Sequence, residues 1–123
     1  MIKMLIVDDE RDVEFLFTQR FKKEIRNGEV DLHFAFSGAE ALVYLRSLKP
    51  LDLVIVLTDI NMPGMTGLEL LRIIKTEYHE LRVMMVTAYG DENNYRSAIS
   101  IGADDFMTKP VDFRALKEKV LKH

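Results

Sequence analysis

The chain of 123 residues is 48% apolar and 30% charged, with a formal net charge of -3 and no cysteine. That length suits one domain with a real core, the charge leaves no footprint for nucleic acid, and the lack of thiols excludes disulfides and thiolate metal sites. No apolar run approaches the ~20 residues that cross a bilayer, and Met1 to Asp8 is too short and too soon acidic for a signal peptide, so a cytoplasmic setting is expected.

Met4-Leu-Ile-Val7 reads as a short buried strand closing on Asp8-Asp9-Glu10. Residues 12 to 26 read as one helix, with Val13, Phe17, Phe21 and Ile25 recurring at spacing four beside Leu16, and Asn27-Gly28 ending it. Val30 to Phe36 alternates loosely, as a strand does. Ser37-Gly-Ala-Glu40 has the form of a capping box and opens a helix carrying Ala41, Leu42, Leu45 and Leu48 inward, which Pro50 closes.

Leu53-Val-Ile-Val-Leu-Thr58 is an apolar run rich in β-branched residues, the mark of a strand covered on both faces, and it stops abruptly at Asp59. Pro63-Gly64 turns the chain, and Thr66-Gly-Leu-Glu69 forms a second capping box before a helix with Leu68, Leu71, Ile74 and Tyr78 in a stripe. Val83-Met-Met-Val86 is the next buried strand, ending at Thr87-Ala88. Residues 91 to 101 form the fourth βα helix, capped by Asp91 and stopped by Gly102; its apolar face is thin, carrying only Tyr95, Ala98 and Ile99. Asp104 to Thr108 is a last short strand before Lys109-Pro110, and Asp112 caps a final helix with Phe113, Leu116 and Val120 inward.

Short strands alternating with helices imply parallel βαβ units with right-handed crossovers. The expected fold is α/β: a five-stranded parallel sheet in the order 2-1-3-4-5, helices on both faces, a (βα)5 three-layer sandwich.

In such a sheet every strand points the same way, so the strand ends share one rim. Asp8, Asp9, Asp59, Thr87 and Lys109 fall there. Strands 1 and 3 are neighbours about 5 Å apart, which crowds three carboxylates together, and their repulsion would raise at least one pKa unless a cation were present. The ligands are all hard oxygens, so Mg2+ is the fitting ion. A carboxylate beside Mg2+ can act as a nucleophile on phosphorus, giving an aspartyl phosphate, with the Lys109 ammonium and the Thr87 hydroxyl available to the phosphoryl oxygens. No Gly-rich nucleotide cradle is present in the sequence, which argues against ATP as the direct donor.

Asp8-Asp9-Glu10, Asp59-Ile-Asn-Met-Pro63-Gly64, Thr87-Ala88 and Gly102-Ala-Asp-Asp-Phe-Met-Thr-Lys109-Pro110, in that order, resemble the receiver domain of two-component response regulators, chemotaxis-regulator-like, over essentially the whole chain 1–123. The resemblance implies a flavodoxin-like fold and a phosphoprotein switch rather than a turnover enzyme, with slow self-dephosphorylation at most. Asp59 would be the phosphoacceptor, served by a histidine kinase or phosphotransfer protein. Asp9 would bind Mg2+ directly, Asp8 through water, and Asn61 through its backbone carbonyl. Lys109 would hold the phosphoryl group and precede a cis bond to Pro110. Thr87 and Phe106 would form the switch pair, hydroxyl moving onto the phosphoryl group and ring rotating inward behind it. Asn61 and Tyr89 would flank the attacking water. Downstream, a protein target or fused output domain is implied, read through the fourth helix and fifth strand, with a homodimer through the fourth helix face among the implied assemblies; no nucleic acid or membrane contact is.

Three departures stand out: the approach from Pro50-Leu51-Asp52 to Asp59 is longer than usual, Thr66 stands where Asp is common, and the switch aromatic is Phe rather than Tyr. Three other functions compete, one of them a degenerate receiver used only as a scaffold, which the full set of site residues disfavours. A Mg2+-dependent phosphohydrolase with Asp59 as nucleophile would be expected to carry a general acid where Asn61 stands, and a cap domain. A flavodoxin-like nucleotide binder conflicts with an acidic rim. The thin face of the fourth helix reads either as a marginal helix or as an output surface that shifts on phosphorylation.

Overall fold

The computed structural model describes residues 1–49, 53–88 and 90–121. Its strands are β1 (Ile2–Val7), β2 (Val30–Ala35), β3 (Val54–Asp59), β4 (Arg82–Thr87) and β5 (Asp105–Thr108). They form one parallel sheet in the order β2-β1-β3-β4-β5, as expected. The helices are α1 (Asp12–Arg20), α2 (Lys22–Arg26), α3 (Gly38–Arg46), α4 (Gly67–Glu77), α5 (Glu92–Ile101) and α6 (Phe113–Leu121). The fourth βα helix of the sequence reading is thus α5.

Strand alternation divides the core into two layers. Leu5, Val7, Val56, Val83 and Met85 face α3, α4 and α5, where they meet Leu42, Leu45, Leu70, Leu71, Ile74 and Ala98. Met4, Ile6, Leu57, Met84 and Val86 face the other way, onto Phe17, Phe21, Leu116 and Val120 of the α1–α2 and α6 side. Both faces of the central strands are dry, which is why β1, β3 and β4 read as unbroken apolar runs.

The single helix expected over 12 to 26 is broken at Phe21, whose backbone (φ -101°, ψ 13°) leaves the helical region. Phe21 is nevertheless fully buried, stacked on Phe17 at 6.2 Å between centroids, with the Lys117 ammonium 5.2 Å from its centroid. Beyond the break the face turns outward and Ile25 is exposed; before it, Leu16 is exposed as well. The expected α4 stripe is shifted too. Leu70, not singled out by spacing, is fully buried beside Leu71 and Ile74, while Leu68 and Tyr78 are only partly covered.

The caps are those the sequence implies. Thr66 accepts from the Glu69 N–H and Glu69 accepts from the Thr66 N–H, a complete capping box. Ser37 accepts from the Glu40 N–H, but the Glu40 carboxylate reaches one residue further back, to the Phe36 N–H. Asp91 caps α5, and Gly102 ends it at φ 116°. Strand β5 is pinned from both sides: Asp104 accepts from the Val83 N–H and the Lys75 ammonium, and Asp105 pairs with Lys119. The expected extension at Pro50-Leu51-Asp52 lies outside the described residues.

Candidate functional site

Strand register sets the site. Val7 pairs with Thr58, so the next residues, Asp8 and Asp59, emerge side by side at the rim. The Asp8 N–H donates to the Ala35 carbonyl and Asp8 Oδ1 accepts from the Glu10 N–H, which fixes the β1 exit. Asp59 is held by the Ile60 N–H bond to the Val86 carbonyl and by the close approach of α4. At Gly67 an added Cβ would lie 2.1 Å from the Asp59 carbonyl oxygen, so only glycine lets the start of α4 sit against the backbone of that residue.

Asp8, Asp9 and Asp59 each place a carboxylate oxygen within 4.8 Å of the others. Asp59 is 5% exposed, Asp8 is half-buried and Asp9 is open to solvent. Burial pushes the Asp8 carboxyl above its ordinary value; the charges of Asp59 and Glu10 add to that, while the Glu10 N–H bond and Lys109 oppose it. Three carboxylates thus meet at the rim.

Facing them is Lys109, whose Nζ donates to Asp59 Oδ2 at 3.0 Å. Partial burial works against its charge, but the hydrogen bond and the fields of Asp59, Asp8 and Glu10 together hold the ammonium above the usual lysine value. Its position is set by its own N–H, which donates to the Thr87 carbonyl at 2.8 Å, and the bond to Pro110 is cis. A proton-bearing, pre-aimed cation beside a buried carboxylate is what a transferring phosphoryl group requires.

Thr87 is 1% exposed, and its Oγ1 has no hydrogen-bond partner among the described residues. A buried hydroxyl left unpaired is costly. Phe106 lies on the adjoining strand β5, opposite Met85, and is partly buried against the α3–α5 layer. Asn61 is exposed two residues beyond Asp59, and Tyr89 lies outside the described residues. The structure thus brings Asp8, Asp9, Asp59 and Lys109 together, with Thr87 at the neighbouring strand end.

Spacing alone did not reveal a cavity of about 410 Å3 beside the acids, walled by Val13, Leu16, Phe17, Val86, Pro110 and Val111. The exposure of Leu16 follows from its place on this rim. Gly67 also shapes the site, and its sequence signal is its position directly after the capping threonine.

The donor set, carboxylate oxygens in excess of cations, suits a hard divalent ion that keeps part of its water. Among the described residues no helix is long and apolar enough to cross a membrane.

Residues 4–121 match the family described as the response regulator receiver domain. The chain is 39% identical over 120 residues to the response regulator protein PilR of Pseudomonas aeruginosa, covering 96% of this chain and 25% of that protein. It is 35% identical over 121 residues to the response regulator protein FleR of the same species, covering 98% and 24%. The chain therefore spans about a quarter of the length of these curated relatives. Among solved structures, the response regulator protein TrrA of Thermotoga maritima, in complex with Mg2+–BeF, superposes with a TM-score of 0.77 at 31% identity, covering 98% of this chain and 96% of that one.

Proposed function

The chain belongs to the response regulator receiver domain family, and on that premise we propose that residues 1–123 form one phosphorylation-controlled switch whose phosphoacceptor is Asp59. The observation that carries the reading is a nearly buried carboxylate flanked by two further acids and met by a lysine at 3.0 Å.

In the proposed transfer an Asp59 carboxylate oxygen attacks phosphorus. The bond from phosphorus to the donor breaks, and the donor leaves with that electron pair; a phosphohistidine side chain of a histidine kinase or phosphotransfer protein is the proposed donor. Lys109 gives up its bond to Asp59 Oδ2 and donates to a phosphoryl oxygen instead. The cavity beside the acids gives the donor's approach a largely apolar wall. Mg2+ is the proposed cofactor, held by Asp8, Asp9, Asp59 and the Asn61 carbonyl; when bound it would offset the acids' repulsion and draw charge from the phosphoryl oxygens. TrrA, solved with Mg2+–BeF, supports that assignment by likeness.

Once phosphorylated, the Thr87 hydroxyl gains the acceptor it lacks, and Phe106 moves into the space behind it. The phosphoryl group thereby favours one of two arrangements by differential contacts. The surface of α5 and β5 carries the change to a protein target or fused output domain, or to a second copy through α5. Turnover of a substrate is not part of the reading.

Calorimetric titration of beryllofluoride with Mg2+ tests it. Saturable, Mg2+-dependent binding is expected for the wild type and none for Asp59→Asn, whose neutral amide cannot form the bond. Equal binding to both would end the proposal.

A further inference from the structure

Helix α5 is the least anchored helix of the α3–α5 layer: Ala98 is its one fully buried residue, and Tyr95 and Ile99 are about half exposed. Yet the Tyr95 ring is not idle. It meets the Phe106 ring edge-on, with centroids 4.8 Å apart and planes at 88°. Beside the pair lies a cavity of about 390 Å3, bordered by Ala88, Asp91, Tyr95, Phe106 and Thr108. Ala88 directly follows Thr87, and Thr108 is the strand partner of Thr87, so the neighbours of Thr87 in chain and in sheet border this space.

We propose that Tyr95 is a latch on the switch: its edge-to-face contact holds the Phe106 ring outward against α5, and phosphorylation must break that contact. This inference rests on the reading of Thr87 and Phe106 as a switch pair. On the switch reading the Phe106 ring rotates toward Thr87, at the end of the neighbouring strand, whereas Tyr95 is carried on α5. An inward rotation therefore separates the two rings. Tyr95 acts as a positioning residue through Phe106, at a distance from the phosphoryl group. Its hydroxyl has no part in this; the ring does. The latch also gives α5 a reason to move, since losing Phe106 removes a main inward contact of an already thin face.

An aromatic pair of this geometry is strong enough to shift a two-state equilibrium about two- to tenfold. The test is beryllofluoride affinity with Mg2+, by calorimetry, in wild type, Tyr95→Leu, Tyr95→Phe, Phe106→Leu and the double variant Tyr95→Leu/Phe106→Leu. Tyr95→Leu is expected to bind about two- to tenfold tighter, because the outward state loses its latch, and Tyr95→Phe to match wild type. With Phe106→Leu in place, Tyr95→Leu is expected to change nothing further. Unchanged or weaker binding by Tyr95→Leu overturns the latch, as does a gain that persists without Phe106, because a general loosening of α5 would give the latter. Absence of binding to the wild type would overturn the switch reading and the latch with it, whereas wild-type binding without the Tyr95 effect overturns the latch alone.

Discussion

Thr87 shows how a single side chain can be ill-suited to the resting fold and suited to the proposed task. Its hydroxyl is buried at the end of β4 with no partner among the described residues, while its backbone carbonyl accepts from Lys109. Valine has the same shape without the unpaired oxygen. Thr87→Val is therefore expected to stabilise the metal-free protein by about 1 kcal/mol in urea denaturation, while weakening beryllofluoride binding. A variant that loses stability would mean that the hydroxyl is already satisfied. Gly67 makes the complementary point. It does no chemistry, but its missing side chain lets α4 lie against the Asp59 backbone.

Among the elements, α4 and α5 differ in how they are held. Helix α4 buries Leu70, Leu71 and Ile74 and begins with a complete capping box. Helix α5 has an Asp91 cap but buries only Ala98. The first is built as a fixed support beneath Asp59 and the second as a part with few contacts to lose. The cap on α4 is accordingly structural: Thr66→Ala is expected to cost about 1 kcal/mol of stability in denaturant unfolding and to leave Mg2+ affinity within a factor of two. A large loss of affinity at unchanged stability would place Thr66 in the site instead. The break at Phe21 belongs to this scale too. It lets a fully buried ring seat under α6 while the chain beyond it turns Ile25 out to solvent.

For the molecule as a whole, the acidic rim concentrates like charge where the β1 and β3 tips meet, and Lys109 only partly offsets it. A divalent cation that binds the folded rim and not the unfolded chain must raise global stability, by about 2.7 kcal/mol at a hundred times its dissociation constant. Thermal unfolding with and without Mg2+ should therefore show a rise in midpoint for the wild type that is lost in Asp9→Ala. Asp9 is the variant to use because it is exposed and no core packing depends on it. An equal rise in both proteins would remove the rim as the metal site.

The alternation of strands and helices, their parallel order and the residues at each strand tip were all legible in the sequence. Local periodicity records which face of an element is dry, and a polar residue ending an apolar run marks the rim. Asp8, Asp59, Thr87 and Lys109 could be named for that reason. Tertiary packing alone decided the break at Phe21, the burial of Leu70, the Gly67 contact with Asp59 and the meeting of Tyr95 with Phe106. Each depends on the shape of a neighbour distant in the chain. A repeat of 3.6 or 2 residues describes one element's own faces and carries no information about what comes to rest against them.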